Sequence, residues 1–249
     1  MPDSAQLCWV IGGGFLGSAL AAAVREVGGR AVVADIRNGV DAADPAVLRG
    51  LLQEGTPRTV FCCQATRGGT AADYRRAYVG VVSALQAVVP RARIVLCSSL
   101  GATAATERAA VLRQAETAVL AARGVVLRMP ALYGEGRCEL LRRHLAGEPR
   151  LGGAGERVLR YLHRDDAVAA LLAAEAAGQS GLYAAVGECF TKKEIYQRIE
   201  EWTGVPAAAE SAPLSSRACE APEPLPAPAG WQPRQRMEDF VKSHRGGIS

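Results

Sequence analysis

The sequence predicts an α/β fold with a doubly wound parallel sheet, a Rossmann fold, followed by a small C-terminal substrate-binding region. Three observations carry this. The apolar run Leu7 to Ile11 ends in Gly12-Gly13-Gly14-Phe15-Leu16-Gly17 and leads into an alanine-rich helical pattern. Short apolar runs then alternate with helix-length segments up to residue 130, the rhythm of parallel strands joined by right-handed crossovers. Asp35 closes the second of those runs, eighteen residues after Gly17.

Phe15 to Val27 carries apolar residues at helical spacing and reads as the first helix, and Ala31 to Ala34 as the second strand. Asp44 and Pro45 start a helix over Ala46 to Gln53, because Asp accepts first-turn amides and Pro suits the first helical position. Thr59 to Cys63 is the third strand. Ala71 to Val89 is a helix stopped by Pro90, Arg93 to Cys97 the fourth strand, Glu107 to Ala122 a helix ended at Arg123-Gly124, and Val125 to Arg128 the fifth strand. After Pro130 the pattern loosens around Gly134, Gly136, Gly152, Gly153 and Gly155, with a helix near Glu139 to Leu145, and here we place the substrate side. Asp165 and Asp166 are read as caps of a helix over Ala167 to Ala177. A strand over Leu182 to Ala185, a helix over Lys192 to Thr203, a Pro/Ala/Ser-rich loop over Glu210 to Gly230 and a helix over Met237 to Ser243 complete the chain. The expectation is one domain, with 1–130 binding a dinucleotide and 131–249 mainly binding substrate, interleaved with the last strands.

At 249 residues the chain can bury one sizeable core. Its hydrophobic fraction of 49% and mean hydropathy of +0.06 suit a folded soluble protein. The net charge of +4 is spread along helices, so no nucleic-acid surface is expected. No apolar run reaches membrane-spanning length and Met1 to Gln6 holds no leader pattern, so the expected location is the cytoplasm, away from membranes. Seven cysteines without a CxxC pair read as free thiols of a reducing compartment, and no His or Cys spacing suggests a metal.

The glycine run has a mechanism in this context. Glycines permit the tight turn and close approach of a pyrophosphate, while the helix N-terminus offers free amides and a positive dipole end to the anion. Asp35 is placed to accept from the adenosine ribose hydroxyls, which favours NAD; Arg37, two residues on, keeps NADP open by pairing with a 2′-phosphate.

Further segments match in order: Asp41 before the second helix, Cys63-Gln64-Ala65, Leu96-Cys97-Ser98-Ser99, Arg128-Met129-Pro130-Ala131-Leu132-Tyr133-Gly134, Leu162-His163-Arg164-Asp165-Asp166 and Gly230-Trp231-Gln232-Pro233. Together with the glycine run they resemble the extended and atypical short-chain dehydrogenase/reductases, the NAD-dependent epimerase/dehydratase group. The resemblance implies that Gly12, Gly14, Phe15, Leu16 and Gly17 hold the pyrophosphate, that Asp41 and Ala42 flank the adenine, and that Cys63, Gln64, Ala65 and Ser98 line the cofactor. It also implies that Pro130 lies near the nicotinamide and that Ser99 faces the reacting carbonyl. In this family the helices over Ala71 to Val89 and Glu107 to Ala122 often form a dimer contact, so a homodimer is a further expectation.

One departure bears on chemistry. The family pairs a Tyr with a Lys four residues on, the Lys lowering the phenol pKa for proton exchange. If Glu116 aligns with the acid that follows this pair, the two positions are Arg108 and Leu112. An arginine does not act as a general acid near neutrality. The expected activity is therefore an NAD(P)-dependent reduction of a C=N, C=C or C=O bond in a small molecule, as in specialised biosynthesis, with Ser99 and Tyr133 as candidate catalytic residues and His163 as a further donor. The alternative is a non-redox cyclase, isomerase or cofactor-sensing protein. Arg137, Arg142, Arg143 and Arg150 read either as a surface for an anionic substrate or as a solvated helix face.

Overall fold

The structure is a computed structural model and describes residues 7–66, 68–148, 155–208 and 225–245. The chain divides into two compact units: one of Met1–Met129, Val168–Ala185 and Pro224–Trp231, the other of Pro130–Ala167, Val186–Glu223 and Gln232–Ser249.

The first unit holds a six-stranded, all-parallel sheet. Its strands are β1 (Leu7–Ile11), β2 (Arg30–Ala34), β3 (Thr59–Cys62), β4 (Arg93–Ser99), β5 (Val125–Met129) and β8 (Gly181–Ala184), ordered β2-β1-β3-β4-β5-β8. Winding proceeds outward from β1 to β2 and then resumes on the other side of β1 with β3. That reversal opens a crevice beyond the carboxyl ends of β1 and β3, where open sheets of this class bind ligands. The crossovers are α1 (Phe15–Glu26), α2 (Pro45–Gly50), α3 (Ala71–Tyr74), α4 (Val81–Val88) and α5 (Glu107–Ala121).

Strand alternation sorts the core. Trp9, Ile11, Val60, Cys62, Leu96 and Val126 pack in one cluster with Tyr78, Leu85, Leu112 and Val119 from the helices. Asp44 caps α2 through the Ala46 amide at 2.8 Å, with Pro45 at the first helical position as its sequence requires. The segment read as one helix from Ala71 to Val89 is interrupted: Arg75–Gly80 is π-helical. A π-bulge frees a carbonyl from the helix ladder. That of Ala77 accepts Gln64 Nε2 at 2.9 Å, which ties the residue after Cys63 to the helix.

The second unit carries a three-stranded sheet, ordered β6-β7-β9, from β6 (Ala131–Tyr133), β7 (Val158–His163) and β9 (Glu188–Thr191). None of the three strands is predicted from sequence; β6 spans three residues, and β7 and β9 mix polar with apolar positions. Its helices are α6 (Glu139–Leu145), α8 (Lys192–Thr203) and α9 (Met237–Ser243). Tyr133, Leu141, Ile195, Ile199, Trp202 and Met237 form its core. The unit boundary falls within α7 (Arg164–Ala176). Asp165 and Asp166 stand in the first turn of α7 instead of preceding it, because the helix begins directly where β7 ends. Asp166 accepts the amides of Arg234 and Gln235 at 3.0 and 2.9 Å, pinning the approach to α9.

Arg150, Gly152, Gly153, Met1 to Gln6 and the loop over 210–224 lie outside the described residues. Among the described residues, no helix is long and apolar enough to cross a membrane and no group of three metal-ligating side chains converges.

Candidate dinucleotide site

The carboxyl end of β1 runs into a tight turn. Gly12 has φ +92°, a conformation L side chains rarely adopt, and a Cβ there would stand 2.7 Å from the Gln64 backbone. Its amide donates to the Ala34 carbonyl at 2.7 Å, fixing the turn to β2. A Cβ on Gly17 would lie 1.9 Å from the Gly12 carbonyl oxygen, so α1 packs on the loop through a missing side chain. Gly14 is different. It is the N-cap of α1 and has no side chain of its own to cap the helix, and a Cβ added there meets nothing within 4 Å. First-turn amides have no acceptor within the helix, so this end presents donors and a positive dipole over open space.

Asp35 is buried and filled with donors. Its Oδ2 accepts the Gly13 amide at 2.6 Å and Arg37 Nη2 at 3.0 Å, and its Oδ1 accepts Arg37 N and Nε at 2.9 and 2.8 Å. The Arg37 side chain leads the causes that hold this carboxyl well below the usual carboxylate range. The rest of that guanidinium is turned to solvent. Further along the same rim, Asp41 pairs with Arg76 and accepts the Ala43 amide at 3.0 Å, while Ala42 is buried in the core.

Beyond β3, the Cys63 amide donates to the Ile11 carbonyl at 2.8 Å, which sets residues 63–65 beside the glycine loop; Ala65 is exposed. At the end of β4 the two serines diverge. Ser98 Oγ donates to Glu116 at 2.5 Å, and Glu116 takes Arg128 Nε and Nη2 at 2.9 and 2.6 Å in a buried bidentate pair. Ser99 is exposed, and its Oγ accepts the Gly101 amide at 3.0 Å as cap of the following turn. That leaves the Ser99 hydroxyl hydrogen to donate outward. Leu112 sits in the core, and Arg108 is exposed with its guanidinium 5.7 Å from the Tyr74 ring centroid.

Pro130 and Tyr133 belong to the second unit. Tyr133 is 2% exposed, ringed edge-on by His163 and Phe240, and burial pushes its phenol well above the ordinary value, helped by Glu188 and Asp166. Arg142 is bound to Glu139 and Glu148, and Arg143 pairs with Glu148, so these arginines serve the α6 surface.

His163 is buried, with Nδ1 accepting the Asp165 amide at 3.2 Å. Desolvation is the main cause lowering its pKa below the ordinary imidazole value, against the pull of Asp165 and Asp166. A lowered folded value means the unfolded chain binds the proton more readily. The His163 contribution is thus complete above about pH 6.5 and is lost as pH falls from there through the folded value. Melting temperature is expected to fall between pH 7 and pH 5 more in the wild type than in His163→Gln. Parallel melting curves for the two would refute this.

The sheet order, the switch point and the glycine turn define an α/β protein of the Rossmann fold. Solved structures agree. The chain is similar to UDP-glucose 4-epimerase of Thermotoga maritima, with 18% identity, 95% of this chain and 96% of that one covered, and a TM-score of 0.76. It is similar to dTDP-glucose 4,6-dehydratase of Bacillus anthracis in complex with NAD, with 15% identity, coverage of 97% and 96%, and a TM-score of 0.80. A third, GDP-mannoheptose C4 reductase of Campylobacter jejuni with NADP bound, shows 15% identity, coverage of 97% and 98%, and a TM-score of 0.77. No family model matches the sequence, and neither does any curated protein sequence.

Three features escape the sequence reading. The bond from the Gly13 amide to Asp35, the Ser98–Glu116–Arg128 network and the contact of Cys63 with Cys97 all join residues distant in the chain. Only the last had a signal: residues one step past Cys62 and Leu96, which pair in register, face each other.

Proposed function

We propose that this chain is an NAD(P)-dependent reductase of a small organic molecule. The space left by Gly14 at the N-terminus of α1, between glycines whose missing side chains make the approach, carries the reading. Gly12 to Gly17 would hold the pyrophosphate, Arg37, braced on Asp35, the adenosine ribose, Asp41 and Ala42 the adenine, and Cys63 to Ala65 the inner length of the cofactor. When bound, the dinucleotide supplies hydride-transfer chemistry.

The protein's own part falls to the end of β4. Ser99 keeps a free hydroxyl hydrogen for a substrate oxygen or nitrogen, whereas Leu112 offers no ammonium to activate a phenol. An activated acceptor, one that needs orientation more than a strong acid, suits such a site. Tyr133, the other candidate of the sequence, is buried in the second unit between His163 and Phe240, so the role rests on Ser99. The nucleotide sugars named for the similar structures are the first substrate class to test.

Calorimetric titration with NAD, NADH, NADP and NADPH tests the cofactor claim, and nicotinamide absorbance during incubation with carbonyl, imine and conjugated acceptors tests the reaction. Binding of no dinucleotide would overturn the proposal. Binding without turnover of any acceptor would favour a cyclase, isomerase or sensing role.

Arg37 sets the cofactor preference in this reading. It occupies all the acceptor sites of Asp35 that Gly13 leaves, and it turns free N–H groups outward, where a 2′-phosphate can pair with them. Arg37→Ala is expected to uncover the carboxylate and shift the NAD to NADP affinity ratio about tenfold toward NAD. An unchanged ratio in calorimetry would remove Arg37 from this role.

A further inference from the structure

Two thiols meet at the inner edge of the candidate site. Cys63 Sγ and Cys97 Sγ are 3.6 Å apart, on half-buried residues that follow the paired register of β3 and β4, and the contact with Cys63, with burial second, holds the Cys97 thiol well above its ordinary value. Neighbouring parallel strands hold opposed residues at the backbone separation a disulfide requires, and closing the sulfur gap needs about 1.5 Å of side-chain rotation. The backbone on both sides is already fixed, by the Cys63 amide on Ile11 and by the pairing of Cys97 with Leu127.

Selectivity follows from alternation. Cys62 precedes Cys63 directly but points to the opposite face, is fully buried in the hydrophobic cluster and has its thiol pushed well above the ordinary value by that burial. It lies out of reach of an external oxidant. Cys8 and Cys138 are buried as well, and Cys189 is exposed on β9 of the second unit.

We propose that Cys63 and Cys97 form a redox-active dithiol, which closes to a disulfide on reaction with a low-molecular-weight disulfide and thereby weakens dinucleotide binding. The Cys63 thiolate attacks one sulfur of oxidised glutathione, a mixed disulfide forms, and one glutathione leaves as its thiolate. The Cys97 thiolate then attacks the Cys63 sulfur and expels the second glutathione. The two protein thiols lose two electrons, glutathione gains them, and the two protons released end on the two glutathione molecules. The effect on binding rests on the dinucleotide reading above: the bond would pull together the ends of two strands, one of which continues as the 63–65 segment beside Gly12.

Incubation of the reduced protein with oxidised glutathione, followed by intact mass and peptide mapping, tests the bond. The expected wild-type product has lost two hydrogens and yields a Cys63–Cys97 linked peptide, and Cys97→Ser instead accumulates a glutathione adduct on Cys63. A wild-type protein that stays fully reduced, or that stops at the adduct, would overturn the dithiol. Dinucleotide titration of the crosslinked protein is expected to give at least a tenfold weaker affinity, restored by dithiothreitol; equal affinity of both forms would overturn the effect on binding. If the crosslink forms while the reduced protein binds no dinucleotide, the site reading and the effect on binding fail together, and the dithiol stands.

Discussion

Replacing Glu116 by Ala is expected to destabilise the protein by about 3–5 kcal/mol, because it strands a buried guanidinium. Both oxygens of Glu116 are engaged by Arg128, and Oε1 also receives the Ser98 hydroxyl. The two side chains are 5% and 11% exposed, so water cannot take over from the lost carboxylate. A change of this size corresponds to a fall in melting temperature of roughly 10 °C for a chain of this length. The same argument predicts that the double replacement Glu116→Leu with Arg128→Met recovers most of the loss, since it removes both charges and keeps the volume filled. Urea unfolding of the three proteins decides the matter. A single variant within 1 kcal/mol of wild type, or a double variant no better than the single, would show the pair to be solvated and weak.

The network also clarifies what the end of β4 contributes. Ser98 and Ser99 are adjacent in sequence and lie on opposite sides of the strand. One hydroxyl turns inward to organise Glu116, and the other caps the next turn from an exposed position. A single sequence does not make that division visible, because Glu116 and Arg128 are eighteen and thirty residues from Ser98 and nothing in their spacing couples them.

Where local chemistry dictates structure, the sequence was legible. The strands of the large sheet are short runs of mainly apolar residues, and α2, α3 and α5 between them carry their own side-chain caps in Asp44, Thr70 and Thr106. Gly12 and Gly17 announce a backbone demand that no other residue meets. The small sheet was hidden because its strands rely on each other: β7 pairs with β6 on one side and β9 on the other, and its polar positions do not alternate cleanly. The π-helical stretch was hidden for a related reason, since Arg75 to Gly80 has ordinary helical composition and the bulge shows only in the Ala77 carbonyl reaching Gln64.

Gly14 and Gly17, three residues apart in one motif, are expected to respond oppositely to the same methyl group. Gly17→Ala drives a Cβ to 1.9 Å from the Gly12 carbonyl oxygen, a backbone atom held by its own turn, so helix and loop must separate. Overpacking against backbone is expected to cost about 3 kcal/mol and to abolish dinucleotide binding through a displaced helix end. Gly14 has φ −77°, which alanine adopts without strain, and its added Cβ meets nothing within 4 Å. Stability should hold or rise by about 0.4–1 kcal/mol, because the unfolded chain loses freedom. Yet that methyl stands at the cap of α1, where a pyrophosphate must come close to the amides, so NAD(P) affinity should fall by at least tenfold (~1.4 kcal/mol). Thermal melts paired with calorimetric titration separate the two. A stable Gly14→Ala protein with wild-type affinity would mean that the anion does not sit over α1, and the proposed placement of the cofactor would have to be abandoned.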